Sequence, residues 1–218
     1  MAFEPRLDVL PVALQNFWRE HPSVPPHFVL YGGTAIALRL GHRSSEDFDF
    51  FSSEAFEVPA LMDALSFSRD AEILQAAANT LTLRVECDGA VKLSFFGGLN
   101  LGRVADPDPL PGQSFAIASL ADLLAAKLKV LWQRAEAKDY LDVVAIIRAG
   151  VSLDYGLACA VALYGPQFNP AIVLKALTYF KDGDLPTLAA DVRQLLVNAA
   201  ANIRELPEVQ CIAPGIAK

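Results

Sequence analysis

Two aspartates stand one residue apart in the segment Asp47-Phe48-Asp49-Phe50-Phe51. In an extended strand, residues i and i+2 point to the same side, so Asp47 and Asp49 present paired carboxylates while Phe48 and Phe50 face a core. Like charges held this close resist ionisation unless a cation lies between them. Mg²⁺ (or Mn²⁺) meets that need, because it takes one or two carboxylates and completes its shell with water and phosphate oxygens. The plainer alternative is an exposed sheet face with no ligand.

Gly32-Gly33 lies about a dozen residues upstream, between an apolar stretch and a helical one. Without side chains, the backbone N–H groups of such a turn can approach an anion, and the start of a helix favours negative charge there. Thr34 adds a hydroxyl. A triphosphate lying between this turn and a cation on Asp47 and Asp49 is the arrangement needed for nucleotidyl transfer. A lone Gly-Gly is usually a tight turn, but the two features in this order and spacing favour a site.

Lys127 is a third candidate. On a 3.6-residue helix Leu120, Leu123, Lys127, Leu131 and Arg134 form one stripe, so Lys127 interrupts an apolar face while Lys129 points to solvent. Lys127 and Arg134 can reach phosphates, or Lys127 can lay its stem on apolar surface with its ammonium in water. Asp139 and Asp142, at i and i+3, share a helix face. They either position Lys127 or Arg134, act at the site themselves, or form exposed pairs with Lys138 and Arg134. Arg39, His42 and Arg43 form a basic cluster before the acids, suited to a nucleotide tail, to acceptor phosphates or to a helix C-terminus.

The elements that position these residues follow from pattern and punctuation. Leu7 to Arg19 reads as an amphipathic helix stopped by HPSVPP. Phe28–Tyr31 and Phe48–Phe51 read as strands, Thr34–Leu40 as a helix ended by Gly41, and Pro59–Leu65 as a helix. Leu81–Cys87 and Val91–Phe96 form a hairpin about Asp88-Gly89, and Phe115–Ala118 is a short strand after a loop from Gly97 to Gly112. Ser119 is placed to cap a long helix from Leu120 to about Ala135. Helices follow over Lys138–Arg148, Tyr155–Tyr164, Pro170–Phe180 and Leu185 to about Arg204. The fold class is therefore α+β: a small mixed sheet flanked by helices in residues 1–118, then a helical bundle in 119–218.

Bulk composition sets limits. The net charge of -7 disfavours a broad nucleic-acid groove, since such a chain repels phosphate backbones on average. No run reaches the ~18 to 20 apolar residues of a membrane span, and the N-terminus lacks the basic-then-apolar pattern of a signal peptide. Cys87, Cys159 and Cys211 are scattered, show no metal spacing, and suit small buried residues in a reducing cytoplasm. A hydrophobic content of 53% suggests a large core plus a surface for a partner or a second copy, as in a homodimer.

Tyr31-Gly32-Gly33 and Asp47-Phe48-Asp49-Phe50 resemble the signature of polymerase-beta-like nucleotidyltransferases, and GGTAIALRLGHRSSEDFDFF looks closer still to the AbiEii/AbiGii toxin-like family. The strings VKLSFF from Val91 and SLADLLAAKLKVLWQRAEAKDYLDVV from Ser119 also look like that family. The resemblance covers roughly residues 28–148. It implies a nucleotidyltransferase-like N-terminal domain and a metal-dependent transferase moving an NMP from an NTP to RNA, with tRNA foremost, or to a protein. It also implies a toxin with a cognate antitoxin. Gly32, Gly33 and Thr34 would bind phosphate, Asp47 and Asp49 the metal, and Lys127 the nucleotide; Lys138-Asp139 and Asp142 would be the family's last element. Arg43 and Arg134 join the nucleotide-binding candidates, and Asp139 the catalytic ones. Ser94 stands where many relatives in the superfamily carry a third carboxylate, and Glu86 across the hairpin is a substitute only if pairing brings it to the same place. Two other readings remain open: a non-catalytic nucleotide- or partner-binding module, and a transferase acting on a small molecule such as an aminoglycoside.

Overall fold

The computed structural model describes residues 3–20 and 22–218. The chain forms two units. The first comprises Met1–Gly102, Asp106–Ser119 and Ala213–Lys218, and the second Arg103–Ala105 and Leu120–Ile212.

The first unit is built on a seven-stranded mixed sheet. Its strands are β1 (Val29–Tyr31), β2 (Asp47–Phe51), β3 (Glu72–Ala77), β4 (Thr80–Glu86), β5 (Ala90–Phe96), β6 (Asp108–Pro109) and β7 (Ala116–Ile117), in the order β3-β4-β5-β2-β1-β7-β6. β2 lies antiparallel to β1 and parallel to β5, which places the acid-bearing strand in the sheet interior. Helix α1 (Val12–Arg19) precedes the sheet, and α2 (Gly32–Leu40) and α3 (Val58–Ala64) join β1 to β2 and β2 to β3.

The register of β2 is set by its aromatic residues. Phe48 and Phe50 are fully buried. Phe50 stacks on Phe95 at 5.0 Å and meets Phe115 edge-on at 4.9 Å, while Phe48 lies 5.8 Å from Phe17 and 6.2 Å from Trp18. Each buried ring contributes about 1.5–3 kcal/mol. A one-residue slip would expose both rings and bury two carboxylates, which is costly on both counts. The strand has one favourable register, and it holds Asp47 and Asp49 on the opposite face.

Several boundaries differ from the sequence reading. The first helix is interrupted: a 3-10 turn spans Leu7–Val9, and α1 begins only after Pro11. Leu10 is extended (φ -86°, ψ 147°), the conformation proline imposes on the residue before it. The HPSVPP stop begins at His21, which lies outside the described residues. β3 was not foreseen: EILQAA is exposed at all six positions, so it carries no alternation between core and solvent. β6 sits inside the stretch read as loop. At the Asp88-Gly89 hairpin both residues have positive φ, 49° and 132°.

The second unit is helical: α4 (Leu120–Val130), α5 (Ala137–Arg148), α6 (Leu153–Tyr164), α7 (Pro170–Ala176) and α8 (Ala190–Ala201). α4 is shorter than expected. Gln133 and Arg134 both donate their N–H groups to the Val130 carbonyl, closing a turn that ends the helix. α7 and α8 are trimmed likewise, with a 3-10 turn at Leu185–Thr187. Among the described residues no single helix is long and apolar enough to cross a membrane. Of the cysteines only Cys159 is buried; Cys87 is partly exposed and Cys211 exposed, which corrects the reading of all three as core residues.

Candidate active site

β1 runs directly into α2 through Gly32-Gly33, and β2 returns antiparallel beside β1 with Tyr31 opposite Asp49. This pairing brings the acid to the glycine turn. Gly32 has φ +72°, and a Cβ built on it would lie 2.4 Å from Asp49 Oδ2. The residue must therefore be glycine for two reasons, conformation and space. A Cβ on Gly33 would lie 2.3 Å from Arg43 Nη2 and 3.3 Å from Ser45 Oγ. A carboxylate and a guanidinium thus both rest on the bare backbone at the start of α2. Tyr31 supplies no side-chain cap to the helix.

Thr34 is buried, and its hydroxyl is committed to protein. It donates to the Asp47 carbonyl and hydrogen-bonds Ser45 Oγ at 2.8 Å, tying α2 to the first residue of β2. In this structure Thr34 orders the turn rather than presenting a hydroxyl to solvent. Gly41, at φ +65°, ends α2 and lets the chain reverse toward β2.

Asp47 and Asp49 are both partly exposed on one face of β2, alternating with Phe48 and Phe50. Phe51, next on that face, stacks on Tyr31 at 4.8 Å and meets Phe96 edge-on at 5.6 Å, closing one end of the acidic strip. Lys92 on β5 is paired with Asp47, its Nζ 3.4 Å from Asp47 Oδ2. This neighbour was not singled out in the sequence. An alternating β5 in register with β2 is the signal that would have found it.

Across the sheet, Asp49 is opposite Ser94, and Ser94 is opposite Thr82. The position beside Asp49 on β5 is therefore a buried hydroxyl rather than a carboxylate. Glu86 does not replace it. It pairs with Ala90, four residues along the strand from Ser94, roughly 13 Å away at ~3.3 Å per residue. Glu86 also accepts from Arg84 at 2.8 Å.

The basic cluster divides. Arg43 lies over Gly33 and donates to the Ser44 carbonyl at 2.8 Å. Arg39 instead forms an ion pair with Asp108 at 2.6 Å and donates to the Ala118 carbonyl at 2.8 Å, so it anchors β6 and the end of β7 and is not turned toward a nucleotide. Its partner is distant in sequence, which hid the role.

In the second unit Lys127 is 8% exposed, and Asp139 and Asp142 are both fully buried. Lys127 Nζ lies 2.7 Å from Asp139 Oδ1 and 2.7 Å from Asp142 Oδ2. Arg134 grips the same Asp139, with Nε 2.8 Å from Oδ2 and Nη2 3.2 Å from Oδ1. Arg134 lies beyond the end of α4, so it is not on the Lys127 stripe; the turn at Leu131–Gln133 brings it to Asp139. Of the ion-pair alternative, the Arg134–Asp139 pair is present, but the acids are buried and Lys138 pairs instead with Glu136 at 2.9 Å. Burial alone would push the Asp139 carboxyl up, but the Arg134 hydrogen bond and the Lys127 charge outweigh it and hold it below the usual carboxylate range. Two of the three Lys127 N–H groups are met by these carboxylates.

A cation at Asp47 and Asp49 fits the donor set. Among the described residues no cluster of three or more His, Cys, Asp or Glu side chains is arranged to hold a metal. Protein ligands to a cation here number one or two carboxylates, with phosphate and water completing the shell, which is the way Mg²⁺ binds. The space over Gly32-Gly33 that a Cβ would fill is taken in this structure by Asp49 Oδ2 and Arg43 Nη2.

A glycine turn at a helix start thus faces paired carboxylates on the adjoining strand of a mixed sheet. The chain belongs to the family described as Nucleotidyl transferase AbiEii toxin, Type IV TA (toxin–antitoxin) system, which matches residues 16–208. It is also 30% identical over 161 residues to an uncharacterized protein of Aquifex aeolicus (strain VF5), covering 71% of this chain and 74% of that one.

The glycine pair separates conformation from packing. Gly32→Ala is expected to cost about 1–2 kcal/mol of stability, from positive φ and the Asp49 clash, and to lower transfer at least ~100-fold by displacing that carboxylate. Gly33→Ala meets the end of a flexible arginine at 2.3 Å and the Ser45 hydroxyl at 3.3 Å, without positive φ, and is expected to change the melting temperature less. Equal effects in thermal melts and transfer assays of the two variants would contradict the geometry.

Proposed function

We propose that the protein transfers an NMP from an NTP to a hydroxyl of an RNA acceptor, tRNA foremost, with Mg²⁺ or Mn²⁺ at Asp47 and Asp49, and that it is a toxin restrained by a cognate antitoxin. The carrying observation is the contact of the Asp49 carboxylate with Gly32. The metal's part, when bound, is to neutralise phosphate charge and lower the pKa of the attacking hydroxyl.

The chain's own groups do the rest. The N–H groups at the start of α2 receive phosphate oxygens, and Arg43 beside them adds positive charge. The acceptor oxygen bonds to the α-phosphorus, the bond from that phosphorus to the bridging oxygen breaks, and pyrophosphate leaves. Ser94, being a hydroxyl, is a poor base, so the acceptor's proton passes to the Asp47–Asp49 pair. The resemblance also implies a nucleotide contact for Lys127, whose ammonium is fixed by Asp139 and Asp142. The charge of -7 favours recognition of a short acceptor end over extended duplex contact.

A second reading is favoured by Ser94: without a third carboxylate the unit holds a nucleotide or a partner protein and transfers nothing. Incubation with each labelled NTP, Mg²⁺ and total RNA separates the two. Label on RNA supports transfer; bound NTP with no label on RNA or protein supports the binding module. Label on protein alone would move the acceptor to a protein hydroxyl.

A further inference from the structure

The helical unit contains a cleft of about 620 Å³ that none of the groups discussed above fills. It opens beside the turn that ends α4 and is walled by α7 and the segment after it. Trp132 and Tyr179 line it, with Ile172, Arg134, Lys175 and Asp182. Its size is that of a small-ligand site.

The chemistry of the wall is specific. Trp132 is 43% exposed and Tyr179 45%, unusual exposure for large rings sharing one concave surface. The Trp132 ring is steadied by the Lys129 ammonium, 4.7 Å from its centroid. Arg134 lies in the cleft wall with its guanidinium held by Asp139 and, at 3.6 Å, by Glu136, so one guanidinium is fixed in place there, and Lys175 adds a cation. Rings for stacking with cations for phosphate are the two parts by which proteins hold single-stranded nucleic acid. Asp182 supplies an acceptor for an exocyclic amine or a ribose hydroxyl. A protein or membrane partner would need a broad apolar or basic face; this cleft offers the dimensions of one or two bases. An acidic chain can bind RNA through such a site because stacking needs little net charge.

We infer that this cleft is a binding subsite for single-stranded RNA: unpaired bases stack on Trp132 and Tyr179 while Arg134 and Lys175 take the adjoining phosphate. The inference rests on the reading of an RNA acceptor. Arg134 and Lys127 share the Asp139 carboxylate, so an RNA phosphate that engages Arg134 acts on the same ion cluster that fixes Lys127.

Trp132 reports occupancy directly, since the other tryptophan, Trp18, is buried in the first unit. The test is titration of the full chain carrying Asp47→Ala with a short single-stranded RNA oligonucleotide, without NTP, following tryptophan emission. Quenching is expected, lost in Trp132→Ala, with affinity falling roughly 5- to 150-fold in Tyr179→Ala. Lys175→Ala is expected to make the salt dependence shallower by about 0.7 in the log–log slope. No quenching, or binding unchanged by both the Tyr179 and Lys175 substitutions, overturns the subsite. If RNA is nevertheless labelled by the unsubstituted protein, transfer to RNA stands and only this subsite falls. If label goes to protein alone and RNA does not quench, both fall.

Discussion

Replacement of Asp49 by alanine is expected to reduce transfer by about 10³-fold or more while leaving the protein folded. The carboxylate is partly exposed on a sheet face, so its loss opens no cavity in the aromatic core behind β2. Surface substitutions of this kind usually shift stability within about 0.5 kcal/mol. Loss of one electrostatic group at a developing charge costs ~10² to 10³ in rate, and Asp49 is asked to do more, because it is also the group seated on the glycine turn. Asp47→Ala is expected to behave alike, with the added release of Lys92 from its 3.4 Å partner. Label transfer and a thermal melt on the same samples decide the matter. A large fall in melting temperature would make the two acids structural, and unchanged transfer would remove them from the chemistry.

The opposite balance is expected for Lys127. Its removal takes the ammonium from beside buried Asp142 and leaves Asp139 with Arg134. Breaking a buried pair from one side costs about 3–5 kcal/mol, a fall in melting temperature of roughly 10 °C for a chain of this size. Lys127→Ala should therefore weaken folding as well as any nucleotide contact. The double variant Lys127→Met, Asp142→Leu separates the roles: removing both charges should restore much of the stability without restoring transfer. Recovery of transfer as well would make Lys127 purely structural, and a single variant as stable as the unsubstituted chain would contradict the cluster.

The cluster also sets a sign for pH. The Asp139 carboxyl is depressed in the folded state, against an unfolded value near 3.9. Between those values the unfolded chain binds more protons, so stability rises with pH across that window. The contribution is complete above the unfolded value and is lost as pH falls through the folded one. Lys127→Ala removes part of what depresses the carboxyl and so narrows that window, and its acid limb should be shallower in urea midpoints measured between about pH 2 and 5. An unchanged limb would mean that Lys127 has no hold on Asp139.

The site was legible where a local pattern carried it. Alternation of Asp with Phe in β2 was enough to put both acids on one face, because aromatic burial and carboxylate solvation both oppose a slip. The glycine turn could be read because its neighbours switch from strand to helix within a few residues. Lys127 stood out as a charge in an apolar stripe. What stayed hidden depended on distant pairing. Arg39 read as one of a basic cluster, open between phosphate contact and a helix C-terminal cap, and its pairing with Asp108, 69 residues on, could not be seen. Arg134 was placed on α4 because nothing local signals the end of that helix at Val130; the bond to Asp139 holds it away from the helical path. β3 was missed because an edge strand exposed along its whole length has no alternation to read. Thr34 was assigned to phosphate, and its buried bond to the Asp47 carbonyl needed the return of β2 to be seen.

The most direct test is the anomalous scattering of Mn²⁺ in crystals grown with a non-hydrolysable NTP. The expected result is a peak bonded to carboxylate oxygens of both Asp47 and Asp49, with the triphosphate on the backbone of Gly32 and Gly33. Nucleotide bound away from that turn, or manganese bound elsewhere with both aspartates bare, would contradict it.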